Sequence, residues 1–116
     1  MIRRSLRSYR SYLQDILNAM NNIIDYKSNL TYHDYCLPGP YRDAILYNFQ
    51  IMGEAVKHIP RSFQNKNKRI PWNYMAAIRN DIVHEYYDPD DEIVWSIMQV
   101  DLESNAFDLK QLIENF

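Results

Sequence analysis

Glycine occurs only twice and cysteine once among the 116 residues, and each scarcity removes a class of protein. With so few glycines, a turn-rich β fold is excluded, and so is a Gly-rich loop of the kind that cradles phosphates. The lone cysteine, Cys36, cannot close an internal disulfide, so a reducing cytoplasm is expected. No apolar run approaches the roughly 20 residues needed to span a bilayer. The start, Met1-Ile2-Arg3-Arg4-Ser5, is basic but lacks the apolar core of a signal peptide. Nor does a net charge of −2 match the strongly basic balance of a dedicated RNA-binding domain. What is present is 47% hydrophobic and 14% aromatic residues, enough for one packed core. The expectation is a single cytoplasmic domain over 1–116 with no membrane segment.

Net charge is small, but the charges are unevenly placed. Arg3, Arg4, Arg7 and Arg10 crowd the start, and Arg61, Lys66, Lys68 and Arg69 crowd a central stretch, together eight of thirteen basic residues. Ten of the fifteen acids lie from Asp81 onward. Such polarity steers a polyanion or docks an oppositely charged partner when it is concentrated in space, and is ordinary solvated surface when it is not.

Periodicity predicts four helices. Leu6, Tyr9, Leu13, Ile16, Met20, Ile23 and Ile24 recur at threes and fours from about Ser5 to Lys27. A second helix follows Pro38-Gly39-Pro40, carries Ile45, Phe49, Met52, Val56 and Ile59, and stops at Pro60. After a polar loop to Pro71, a third runs from Trp72 to about Tyr87. Asp90 is placed to cap a fourth, in which Asp91 and Glu92 complement the helix dipole and Val94, Ile97, Met98, Leu102, Leu109, Leu112 and Ile113 form the apolar face. The expected fold is all-α, an antiparallel four-helix up-and-down bundle. His33 and Cys36 fall in a predicted loop. Tyr9, Tyr12, Tyr41, Tyr47 and Tyr74 supply rings of the kind found at interfaces, which favours a homodimer.

The third helix holds the chemistry. Trp72, Met75, Ala76, Ile82, Val83 and Tyr86 make an apolar stripe with Arg79 near its middle. A guanidinium cannot shed its charge, so it needs a partner or an opening to ligand. One alternative is structural: Arg79 pairs with Glu54 of the facing helix and fixes register. The other is catalytic. Arg79 suits a phosphate, His84 moves protons at neutral pH, and Asn80, one turn before His84, can orient either. Five residues turn an ideal helix through about 500°, so Arg79 and His84 point roughly 140° apart. A two-fold dimer would bring both kinds of side chain to one cleft. Gly53, costing about 1 kcal/mol in mid-helix, signals close helix approach beside Glu54, a candidate buried acid. Glu54 and His58, four apart, do not complete a metal-binding pattern, so no metal and no cofactor is expected. No Ser/His/Asp order or thiolate setting supports another hydrolase chemistry.

Arg79-(four residues)-His84-x-Tyr86 resembles the defining motif of HEPN-domain ribonucleases. Ile51-Met52-Gly53-Glu54-Ala55, Ile70-Pro71-Trp72, Arg79-Asn80 through His84-Glu85-Tyr86-Tyr87, and Val94-Trp95 extend the likeness over nearly the whole chain. In order and spacing they resemble the HepT family, the toxin half of MNT/HepT toxin–antitoxin pairs. That resemblance implies a dimeric, metal-independent endoribonuclease of a type VII-like system. Arg79 and His84 would be its catalytic residues, Asn80 would support them, and RNA would be the substrate. It also implies a partner nucleotidyltransferase that neutralises the toxin by attaching AMP to Tyr86. The contrasting expectation is a non-enzymatic helical partner and substrate of that nucleotidyltransferase, or a purely structural bundle.

Overall fold

A computed structural model of the protein describes residues 8–84 and 90–116, the side chains of 81–84 excepted. Among the described residues there are helices and no strand, as the periodicity requires. The first helix, α1 (Tyr9–Lys27), begins four residues later than expected, because Ser8 takes an extended conformation and its hydroxyl accepts the Arg10 N–H at 3.1 Å. Leu6 and Arg7 of the predicted first turn lie outside the described residues, as do Arg3 and Arg4.

Two short helices were not foreseen. In α2 (Tyr32–Cys36) the Asp34 N–H donates to the Thr31 hydroxyl at 3.0 Å, and the Thr31 N–H donates to the Asp34 carboxylate at 3.1 Å. This reciprocal cap holds the Asp34 carboxyl below its usual range. His33 and Cys36 therefore sit on a helix, not in a loop. Thr31-x-x-Asp34 is the signal that reveals it. The other short helix is α4 (Arg61–Lys66).

Helix α3 (Pro40–Val56) starts with proline at its first position, as the Pro-Gly-Pro break predicts. It ends three residues before Ile59. His58 and Ile59 donate to carbonyls three residues back, at 3.0 Å each, a tightening suited to the residue that precedes proline. Gln64 of α4 then donates to the Ile59 carbonyl at 3.0 Å and ties off this end. Helix α5 (Trp72–His84) starts as expected, and its predicted last turn to Tyr87 lies outside the described residues. The final helix is continuous but not uniform: α6 (Asp91–Ser96), a π-helical turn (Ile97–Asp101) and α7 (Leu102–Glu114). Asp90 caps it, accepting the N–H groups of Glu92 at 3.0 Å and Ile93 at 3.3 Å. In the π turn the Leu102 N–H reaches back five residues to Ile97, and this extra residue lets Val94, Ile97, Met98, Leu102, Ala106, Leu109 and Ile113 all face inward.

The long helices pack in the order α5–α3–α1–α7, with α1 and α3 at the centre. Leu13, Ile16, Met20 and Ile23 of α1 and Ile45, Phe49 and Met52 of α3 have essentially no exposed surface. A polar link pins these two helices: Asn22 donates to the Asn48 side-chain oxygen at 3.1 Å, and Asn48 donates to the Ala44 carbonyl at 2.8 Å. Tyr9 and Tyr12, expected at an interface, are used within the chain. Tyr9 packs edge-on against Phe63 and Phe116, and Tyr12 stacks on His58. Tyr41, Tyr47 and Tyr74 remain exposed. Among the described residues no helix is long and apolar enough to cross a membrane.

One buried ion pair joins three elements. Arg42 of α3, 7% exposed, places Nη1 2.9 Å from the Asp91 carboxylate of α6, and its guanidinium lies over the Tyr35 ring of α2 at 5.0 Å. Burial, reinforced by the Asp91 charge, pushes the Tyr35 phenol well above its ordinary value. Asp91 thus does more than complement a dipole. Replacing it by alanine leaves Arg42 buried without its counter-charge, so Asp91→Ala should lose roughly 3 kcal/mol of stability in urea unfolding. A loss below about 1 kcal/mol would mean that water solvates Arg42 freely.

Candidate functional site

Arg79 lies on α5 where that helix meets Gly53 of α3. A Cβ built on Gly53 would overlap the Arg79 Cβ, and would stand 2.8 Å from the Met75 carbonyl oxygen and 2.9 Å from the Arg79 Cγ. Glycine is therefore the condition for this approach, and the helical cost of the residue is offset by the contact it permits. Trp72, Met75 and Ile78 bury their side chains along the same helix, with Ala76 half-buried. Ile78 is an inward position that the expected stripe omitted. The side chains of Ile82 and Val83, and Tyr86 entirely, lie outside the described residues.

The Arg79 side chain is 20% exposed, so its stem is buried while its head reaches the surface. Its Nη2 is 2.9 Å from the Glu54 carboxylate, and its Nη1 donates to the Asn80 side-chain oxygen at 3.3 Å. Its buried Nε has no hydrogen-bond partner among the described residues. Glu54 is not the buried acid expected from sequence. It is 51% exposed and also approaches Lys57 Nζ at 3.7 Å, because Gly53, not Glu54, points into the helix contact. The Arg79–Glu54 pair raised as a structural alternative does exist. Its exposure limits its worth to about 1 kcal/mol or less. An anion competing for the same guanidinium would therefore displace Glu54 at small cost.

Asn80 is exposed and engages Arg79, so its amide orients the guanidinium. His84 ends α5 as described, five residues beyond Arg79, and its side chain lies outside the described residues. No group of three His, Cys, Asp or Glu side chains among the described residues is gathered to hold a metal. His58 stacks its ring on Tyr12, centroids 4.3 Å apart.

These contacts give two measurable expectations. Glu54→Gln should cost less than about 1 kcal/mol of stability. Gly53→Ala should cost roughly 1–3 kcal/mol despite the better helix propensity of alanine, because the helices must separate. Urea unfolding of both variants checks the pair, and a neutral or stabilising Gly53→Ala would contradict the close approach.

The family model described as ribonuclease HepT-like matches residues 16–116. A protein of Thermococcus cleftensis named probable ribonuclease HepT is 31% identical over 98 residues, covering 84% of this chain and 89% of that protein. A protein of Methanocaldococcus jannaschii named as a candidate RNase is 29% identical over 109 residues, covering 94% and 90%. Another so named, from Caldanaerobacter subterraneus subsp. tengcongensis, is 25% identical over 109 residues, covering 94% and 97%. No solved structure matches the chain. With the all-α bundle and the Arg79 site in place, a match over 101 of its 116 residues (16 to 116 inclusive) makes this chain a member of the HepT-like ribonuclease family.

Proposed function

We propose that this protein is the toxin of a type VII-like toxin–antitoxin pair, an endoribonuclease that cleaves RNA without a metal. The observation that carries the proposal is the state of Arg79: a guanidinium with a buried stem, a solvent-facing head and a weak, displaceable carboxylate partner. The scissile phosphate takes the place of Glu54 against Arg79, which offsets the charge that develops on phosphorus oxygens during reaction. The ribose 2′-oxygen attacks the adjacent phosphorus as its proton passes to a base. The bond from phosphorus to the 5′-oxygen breaks, and that oxygen takes a proton from an acid. The products are a 2′,3′-cyclic phosphate and a 5′-hydroxyl. His84 fills the base or acid role, since an unperturbed imidazole titrates near 6.5 and serves either. Asn80 holds Arg79 in line. Because positions 79 and 84 diverge by about 140° around one helix, two copies related by a two-fold axis share one cleft between their α5 helices.

His84→Ala and Arg79→Ala should each abolish cleavage of single-stranded RNA and the growth inhibition that follows from it. The helical circular-dichroism spectrum should persist in both. Cleavage should continue in EDTA, and light scattering at micromolar concentration should give a dimer mass. Parental cleavage by the His84 variant, or loss of cleavage on chelation, would overturn the mechanism. A purely non-enzymatic partner module would show no cleavage by the parent at all.

Tyr86 is the proposed control point, modified with AMP by a partner nucleotidyltransferase. The helical period expected from the sequence over 72–87 would set position 86, seven residues beyond Arg79, in nearly the same direction, so an added phosphodiester would compete with substrate phosphate for the arginine. Intact-mass measurement after incubation with the partner enzyme and ATP should show AMP increments on the parent and none on Tyr86→Phe. The variant should keep its toxicity and escape neutralisation. Equal labelling of the two proteins would remove Tyr86 from this role.

A further inference from the structure

A hollow lies away from Arg79, where α4 and the 67–71 segment meet the start of α5. It encloses about 380 Å³, and of its nine lining residues two are cationic, Arg61 and Lys68, and none is acidic. Neither cation takes part in an ion pair among the described residues, whereas the neighbouring Arg69 lies 3.4 Å from the Asp108 carboxylate. The amides of Asn65 and Asn73 are exposed and make no side-chain hydrogen bond among the described residues. Tyr74 presents a ring that is 45% exposed. The walls are fixed from behind. The Trp72 indole N–H donates to the Asn67 carbonyl at 3.0 Å, and Ile70 and Trp72 are buried.

We infer that this hollow is a nucleotide subsite for single-stranded RNA, engaging the strand several residues away from the scissile phosphate. The inference rests on the ribonuclease reading and adds a second contact point to it. Unpaired cations offer phosphate contacts, free amides can meet the edge of an unstacked base, and the Tyr74 ring offers a stacking face. The volume suits one nucleotide, and two cations with no acid in the lining favour a polyanion there. The helix supplies a track between the two sites. Asn73, Ala77 and Asn80 are all exposed and follow one another at steps of four and three, and the same register continues to position 84. The rise from position 73 to 84 is about 16 Å, roughly five nucleotides of a stacked strand at 3.4 Å each.

The test uses the full-length protein and a fluorescent 12-nucleotide 2′-O-methyl RNA, which lacks the attacking hydroxyl and cannot be cleaved. Tyr74→Ala should weaken its binding about tenfold. Arg61→Ala with Lys68→Ala should lower the slope of log affinity against log salt by about 1.4, for two lost phosphate contacts. With cleavable RNA, both variants should raise KM for a 12-mer and leave kcat/KM unchanged for a tetranucleotide bound at the scissile site, which is too short to reach the hollow. Circular dichroism checks folding, and the charge variant carries the test if Tyr74→Ala is misfolded. Parental affinity and salt slope in the variants would overturn the subsite. So would parental RNA binding combined with lost capture of the partner nucleotidyltransferase, which would mark a protein dock. A parent that binds the methylated RNA through the hollow but cleaves no RNA would defeat the ribonuclease reading and leave the subsite standing.

Discussion

The contact between Gly53 and Arg79 is the constraint on which the rest of the site depends. It brings α5 against α3 closely enough that the arginine stem has no room to move, and Met75 and Ile78 seal the same seam from the core side. The adjacent Glu54 is thereby placed outside the seam, level with the guanidinium but in water. Shifting the small residue by one position would bury the acid and leave the arginine without space. The outcome is a cation fixed in position yet held by a partner of little energetic weight, which is what reversible phosphate binding demands.

Stability is supplied elsewhere, and this separation matters. The α1–α3 pair carries the fully buried side chains and its Asn22–Asn48 link, while the Arg42–Asp91 pair anchors the start of the last helix to α3. Neither link involves a residue of α5. The exposed Arg79–Glu54 pair itself contributes little to folding, so it can be exchanged for a ligand contact without loosening the bundle.

Much of this was legible in the sequence, and the exceptions have physical reasons. The long helices follow from apolar spacing, the Asp90 cap from residue type, and the helix approach from a glycine too costly to be idle. The Arg79–Glu54 pair was foreseeable because both residues flank that approach. Exposure of Glu54 was not, since the choice between burying Gly53 or Glu54 is made by the rotation of α3 against α5. The π turn escaped because i+3 and i+4 spacing tolerates one inserted residue without breaking the apolar list. Arg42 and Asp91 are 49 positions apart, and no local pattern connects them. Two tyrosines expected at an interface are instead consumed by aromatic partners within the chain, which only the packing of the α4 segment and the C-terminus against α1 decides.

Folding also resolves the apparent mismatch between an acidic chain and a polyanionic substrate. The excess acids belong largely to the last helix and the segment before it, and there several are matched: Asp91 by Arg42, Asp108 by Arg69 and Glu103 by Lys27. Those pairs offset part of the negative charge of the helix. Arg61 and Lys68 have no such partner among the described residues and stand at a hollow free of acids. Screening at physiological salt confines the influence of a charge to about 8 Å, so the acids beyond that range do little to repel a strand held there. Local charge, not net charge, governs whether an anionic ligand is admitted, and the lining of the hollow carries two cations and no acid although the whole chain carries −2.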